Sequence, residues 1–372
     1  MKKIFVILSA ALMFAACSQN EVIVPVEEDE TAIDFSAVAD KTTKAAINDN
    51  KALADEGGFV VWGYKNAKTA TDWNSATEIF SAQTVTSSGN DGAYINGDET
   101  NWTYTPKRFW DKNANYCFYA VAPVSPANGT YSIAGNADEK RITIDGAVSA
   151  ISTSSDDHLI WRSGLINRDG KTTDNVDITF NHVMAKLTFK VKLQDGLTTD
   201  DLAKIVVTKI TMTGWDNGAG KFVQTATATP TSIECSEWNI GTAAAGDITL
   251  VSGAATDKTI ELTPAASGTT TNTAKDITDW YIMVPQVITY TAAQGNTAAT
   301  GLTFNVEYTM TLTDNKTTED FVVSGVVPAT QTWGTDSYTN YTIIVGPDPI
   351  EFDVVSVAGF TNDGSNHDVT VQ

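Results

Sequence analysis

Cysteine, histidine and positive charge are all scarce in this sequence, and each scarcity closes off a class of function. Three cysteines and three histidines stand among 372 residues. Cys17, Cys117 and Cys235 are too few for a disulfide scaffold, and the last two read as buried thiols packing as small hydrophobes. His158, His182 and His367 belong to no HExxH motif, and the chain has no GxSxG, paired CxxC or P-loop spacing. The residues therefore point to no enzyme and to no cofactor. The 24 Lys and Arg are outnumbered by 45 Asp and Glu, for a net charge of -21. Phosphate binding runs on Lys and Arg, so nucleic acid and anionic membrane surfaces are poor partners. Long apolar runs are missing too. The longest, Ile4–Ala16, falls short of the ~20 residues that span a bilayer.

Isolated candidates for chemistry have simpler explanations. His182 lies near Asp174 and Asp177 without a matching nucleophile, and reads as a structural residue at a domain junction. His158, after Asp156 and Asp157, reads as a surface or strand-end residue. Asp111, Asn113 and Asn115 imitate the start of a calcium loop, but Tyr116 stands where the turn needs Gly and Ala122 where it needs Glu. A hairpin turn explains them better, and Asp363-Gly364-Ser365-Asn366 is equally weak as a metal site.

What is present begins at the N-terminus. Lys2 and Lys3 precede the Ile4–Ala16 run, in the proportions of a secretory signal peptide over residues 1–16. The run ends Phe14-Ala15-Ala16-Cys17, which resembles a bacterial lipobox with Phe14 where Leu is usual. That resemblance implies an acylated Cys17 as the mature N-terminus and an anchor in a membrane. Residues 17–31, acidic from Glu21 to Glu30 and carrying Pro25, read as a tether leading away from the lipid.

The body of the chain has β composition: Thr, Val, Ile and aromatics in short stretches, separated by Gly, Asn, Asp and Ser. Ile33, Phe35, Ala37 and Ala39 alternate as one face of a first strand, followed by the polar stretch Asp40–Ala45. Further strands are expected at 59–64, 102–104, 116–121, 158–161 and 178–180, with long polar connections between Lys65 and Asn101. Lys186–Lys192 alternates with Leu187, Phe189 and Val191 inward and lysines outward. Later strands are expected at 205–212, 280–284, 302–312, 321–327, 341–345 and 350–357. Thr198–Lys204 reads as one short helix capped by Thr199. Strands without intervening long helices indicate antiparallel sandwiches. Some 355 residues after the signal exceed one ordinary core, so two domains are expected, 32–180 and 181–372.

Several segments in order resemble the fimbrillin family of anaerobic Gram-negative bacteria. They are the lipobox and tether, Ile33-x-Phe35 followed by Lys44, Phe109-Trp110, and Tyr116 to Pro123. The series continues with Ile178-x-Phe180-x-His182 to Leu187, Trp280 to Gln286, Trp333 with Tyr338 to Ile343, and Ile350-x-Phe352 to Phe360. The resemblance implies two transthyretin-like antiparallel β-sandwich domains and export as an outer-membrane lipoprotein. It also implies cleavage by a trypsin-like protease after Lys44, or after Lys41, and polymerisation with other pilin subunits by strand exchange. The strand carrying Ile33 and Phe35 would be displaced, and a C-terminal strand presenting Ile350, Phe352 and Val354 would be donated. The tail from Thr361, ending in Val369 and Val371, is a second donor candidate.

The competing function is a monomeric glycan-binding or adhesin lipoprotein using exposed aromatic residues. Nine tryptophans keep it in play. Trp62, Trp102, Trp161 and Trp280 sit in strand patterns and are expected in the core, whereas Trp73, Trp215 and Trp238 have polar neighbours and are candidates for exposure.

Overall fold

Side chains alternate between the two faces of a strand, and a period of two in burial runs through this chain. The computed structural model describes residues 28–39, 47, 49–70, 73, 75–87, 102–135, 140–149, 156–167, 175–224, 237–253, 259–314, 316–347 and 350–358. Among them are strands joined by turns and a single six-residue helix.

The first half holds β1 (Glu28–Ala32), β2 (Asp34–Ala39), α1 (Asn50–Asp55), β3 (Phe59–Ala67), β4 (Thr77–Ser87), β5 (Trp102–Thr103) and β6 (Phe109–Asp111). It continues with β7 (Ala114–Ala122), β8 (Thr130–Gly135), β9 (Lys140–Ala147), β10 (Leu159–Arg162), β11 (Ile166–Asn167) and β12 (Asn175–His182). One sheet runs in the order β2-β12-β10-β7-β3-β4-β5, with β11 beside β7. It curls until β5 approaches β2 around a core of Phe35, Phe59, Phe80, Phe118 and Phe180. β3 and β7 are buried on both faces, which is why they read as nearly continuous apolar runs. The stretch after Lys65, expected as a polar connection, contains β4. β4 buries only Phe80 and Val85, too few to leave a clear alternation.

The second half holds β13 (Ala185–Leu193), β14 (Leu202–Asp216), β15 (Gly220–Val223), β16 (Glu237–Ile240), β17 (Ala245–Ser252), β18 (Ile260–Leu262) and β19 (Lys275–Met283). Next come β20 (Gln286–Ile288), β21 (Thr303–Leu312), β22 (Thr318–Val326), β23 (Gln331–Trp333), β24 (Ser337–Val345) and β25 (Glu351–Ala358). Two sheets, β19-β13-β24-β25 and β17-β14-β21-β22, enclose a core around Phe189, Phe304, Trp333 and Tyr341. Trp333 is buried because its indole N–H finds a partner, the Tyr341 hydroxyl at 2.8 Å, which itself donates to Gln331 Oε1.

The all-β class is as expected, but three local readings change. Two pairs run parallel, β2 with β12 and β13 with β24. The expected helix at Thr198–Lys204 is a turn leading into β14: the Asp201 carboxylate accepts from the Thr198 N–H at 2.8 Å and so closes the turn. The only helix described is α1, capped by Asp49 on the Ala52 N–H, with Leu53 buried. Lys186, read as outward, is 2 % exposed with its ammonium 4.6 Å from the Trp280 ring.

The two halves also share structure. β15 and β16 extend β9 and β8 into a four-stranded sheet. A third cluster lies on the outer faces of β3 and β7, joining Val60, Trp62 and Tyr119 to Met184, Phe222, Ile282 and Val284. Burying Phe222, Ile282 and Val284 alone is worth roughly 5 kcal/mol or more, comparable with the whole stability of a marginal domain.

Candidate functional site

The most unusual local arrangement surrounds β2. As an edge strand it needs no second neighbour, yet its apolar row is deeply buried: Ile33 0 %, Phe35 4 %, Ala37 5 % and Ala39 1 % exposed. On one side it pairs in parallel with β12, from Asp34 opposite Asn175 to Ala39 opposite Phe180. On the other side, side chains replace a strand. Trp102 Nε1 donates to the Ala37 carbonyl at 3.3 Å, and the Tyr104 hydroxyl donates to the Ile33 carbonyl at 2.6 Å. Burial pushes the Tyr104 phenol up to about 12, so it stays a donor at ordinary pH. The Ile33 N–H donates to the Arg108 carbonyl at 2.8 Å, where β1 turns away to pair with β6. Phe35 sits among the rings of Phe59, Phe80, Tyr104 and Phe118 at centroid distances of 6.3, 5.5, 5.6 and 6.0 Å. Residues 33–39 thus fill a slot whose floor is aromatic and whose walls are backbone and hydrogen-bonding side chains. Emptying it would leave an apolar groove beside an unpaired edge of β12.

The chain leaving this slot enters the segment that holds Lys41 and Lys44. Those lysines lie outside the described residues, as does Cys17. Both flanks are fixed in the interior: the Ala39 N–H donates to Asn50 Oδ1 at 3.3 Å, and the Ile47 N–H donates to Asp157 Oδ2 at 3.2 Å. Asp157 is fully buried and bonds His182 Nδ1 at 2.9 Å. Burial alone would raise the Asp157 carboxyl, but the charge and hydrogen bond of His182, the Ile47 N–H and Lys186 outweigh it and hold it below its ordinary value. His182 is raised, because the Asp157 charge and hydrogen bond and the Asp336 charge overcome its own burial. The structural reading of His182 stands, with the buried Asp157 as a partner; Asp177 accepts from the Ser36 hydroxyl instead, and Asp174 lies outside the described residues. His158 does stand at a strand end, directly before β10, but the surface reading is corrected. The side chain is fully buried, with Nδ1 2.7 Å from the Tyr131 hydroxyl, and burial pulls its pKa down to about 4. The Asp-Asp-His run looks solvent-facing in sequence; its placement under Tyr131 is tertiary.

At the other end of the chain, β25 is also an edge strand, paired antiparallel with β24. Phe352 is 9 % exposed, and its ring lies 5.4 Å from Phe304 and over Gly325, where a Cβ would meet Phe352 Cζ at 2.9 Å. Ile350 and Val354 are partly buried against the same core. Residues from 359 onward, the second donor candidate included, lie outside the described residues. Sequence reasoning found both apolar rows from their period of two. It did not single out Trp102 and Tyr104 as the clamps on β2, which only the curl of the sheet brings there.

The remaining candidates are quieter. Cys117 is a buried free thiol, as expected, and Cys235 lies outside the described residues. Lys112 and Asn113 form a tight turn between β6 and β7, with Asp111 accepting from the Asn113 N–H. None of the nine tryptophans is exposed. Trp215, a candidate for exposure, is 4 % exposed because its indole lies flat on Gly246, and Trp73 and Trp238 are half-buried against the shared cluster. Trp161 and Trp280, expected in the core, are half-buried as well. A cleft of about 690 Å³ lies between Trp215, Asp216, Gln286 and Val287, well apart from β2 in sequence. The Gln286 amide spans it, accepting from the Asp216 N–H and donating to the Asp216 carbonyl.

A family model described as fimbrillin-like matches residues 43–359. No curated protein matches. A fimbrial protein from Bacteroides vulgatus, 16 % identical, superposes with a TM-score of 0.52 over 89 % of this chain and 100 % of that one. A fimbrial assembly protein from Parabacteroides distasonis is 12 % identical, with a TM-score of 0.33 over 88 % and 96 %. The C-terminally truncated tip fimbrial protein Mfa3 from Porphyromonas gingivalis is 11 % identical, with a TM-score of 0.31 over 82 % and 96 %. At 16 % identity the first likeness shows the fold alone.

Proposed function

Because the chain belongs to the fimbrillin-like family, we propose that it is a structural subunit of an adhesive surface pilus, matured by proteolysis and polymerised by strand exchange. Its work is assembly, not catalysis. Cys17 is acylated and tethers the exported chain to the outer membrane through residues 17–31. A trypsin-like protease cuts after Lys44, or after Lys41, and the segment holding Ile33 and Phe35 leaves its slot. A C-terminal strand of the next subunit takes its place. The chain divides at about residue 181 into two sandwich domains, packed together through the shared sheet and cluster.

The observation that carries this reading is β2 itself: an edge strand whose apolar row is 5 % exposed or less, and whose chain runs directly into the lysine-bearing segment. Such a strand is held by side-chain burial, one ladder and the Trp102 and Tyr104 clamps on its backbone carbonyls, all of which an equivalent strand can meet, so such a strand can replace it. The donor candidate repeats its pattern. Ile33-Asp34-Phe35 has its counterpart in Ile350-Glu351-Phe352, apolar two apart with an acid between, and Val354 stands where Ala37 does. The glycan-binding reading has less support, since none of the nine tryptophans is exposed and five are buried.

Two truncations test the exchange, one ending at Gly346 and one at Phe360, each matured with trypsin-like protease and run unboiled. Loss of the multimer ladder in the shorter chain alone, with its monomer folded, places the donor in Pro347–Phe360. Loss in both moves it to the tail from Thr361. Ladders like wild type in both overturn C-terminal donation.

A further inference from the structure

Sheet edges with unpaired N–H and C=O groups recruit other strands, and proteins usually guard them with charge, proline or cover. β22 is guarded at one end only. It pairs with β21 over Thr318–Val326, and among the described residues no strand pairs with its outer edge. From Phe321 to Val326 it reads Phe-Val-Val-Ser-Gly-Val, without charge or proline. Val322, at its centre, is 80 % exposed, the most exposed large hydrophobic described. The charges, Glu319 and Asp320, sit together at the start of the strand, and Asp320 is drawn back onto its own sheet by Thr309 Oγ1 at 2.7 Å.

This distribution selects a partner. A parallel copy would set Glu319 and Asp320 beside their equivalents, and like charges opposite one another destabilise a pair. An antiparallel copy centred on Val322 sets Glu319 against Gly325 and Asp320 against Ser324, and Val322 against Val322. We propose that the outer edge of β22 is a self-association surface that pairs antiparallel with β22 of a second copy of this chain. One strand edge buries less than the ~1,200 Å² of a standard interface, so the contact is weak alone and matters where copies are crowded. Each copy carries a net charge of -21, so salt strengthens the contact by screening that repulsion.

The test is disulfide trapping in cells carrying the full chain with Val322→Cys. Directly opposed residues lie about 4.5–5.5 Å apart between Cα atoms, within disulfide reach. Mild oxidation and a non-reducing gel should give at least ten times more dimer for Val322→Cys than for Val287→Cys, another exposed valine, at 64 % against 80 %. Asp320→Cys alone should give little, and Asp320→Cys mixed with Ser324→Cys should restore dimer. Equal trapping at Val287 would mean collision only, and would overturn the proposal. So would absence of dimer at Val322, expected if residues 359–372 cover the edge, or an adduct with a different protein. Cutting after Lys44 or Lys41 does not enter the readout, and donation of β25 would lift Phe352 from Gly325 on the core-facing side of β22 without using the strand's outer edge.

Discussion

Phe35→Ala separates the chain before maturation from the chain after it. The side chain is 4 % exposed within four aromatic rings, so truncation loses both its transfer energy and its ring contacts, and leaves a cavity where packing is tight. Phe→Ala at such a site costs about 3–5 kcal/mol. The whole cost falls on the state in which β2 occupies its slot. The balance between occupied and vacated slot therefore shifts by roughly 4 kcal/mol, or about a thousandfold. Denaturant unfolding of the uncut monomer should show this loss. The matured polymer, from which the proposed cut removes β2, should unfold as wild type does, and strand exchange after cutting should be faster. If Phe35→Ala weakens the polymer as much as the monomer, β2 stays in place and the exchange scheme is wrong.

Further outcomes follow from other residues. Cys17→Ser should abolish incorporation of labelled palmitate, and labelling that persists would remove the lipid anchor from the account. His158 binds its proton near pH 4 when folded and near 6.5 when unfolded. Its contribution is complete above pH 6.5 and falls by about 3 kcal/mol as pH drops to 4, because the unfolded chain takes up the proton first. His158→Gln should flatten that slope in pH-dependent unfolding; an unchanged slope would place it on other groups. Asp157, held low, is lost in a more acidic window, below the ordinary carboxylate range. His182, held high, loses its contribution in the opposite direction, as pH rises through its raised value.

What the sequence made legible was local and periodic. The rows Ile33-Phe35-Ala37-Ala39 and Leu187-Phe189-Val191 announce strands and their buried faces without help from the fold. Elements whose signal is weak or distant were misread. β4 buries two large residues and looks like loop, and α1 is too short to show a helical period. Trp215 has polar neighbours in sequence, but β14 carries it over Gly246 into the core. Lys186 and His158 lie where polar residues rarely settle, and their partners come from other strands. The sheet made of β8, β9, β15 and β16 joins residues on both sides of the expected domain boundary, which no local pattern encodes. For the slot around β2, the occupant was readable and the clamps Trp102 and Tyr104 were not.

The most direct measurement is the N-terminus of the assembled protein. Mass spectrometry of fibres taken from the cell surface should find chains beginning at Ala45, or at Thr42 where the cut falls after Lys41, with residues 33–39 gone. Fibres in which every subunit still begins at Cys17 would contradict the account.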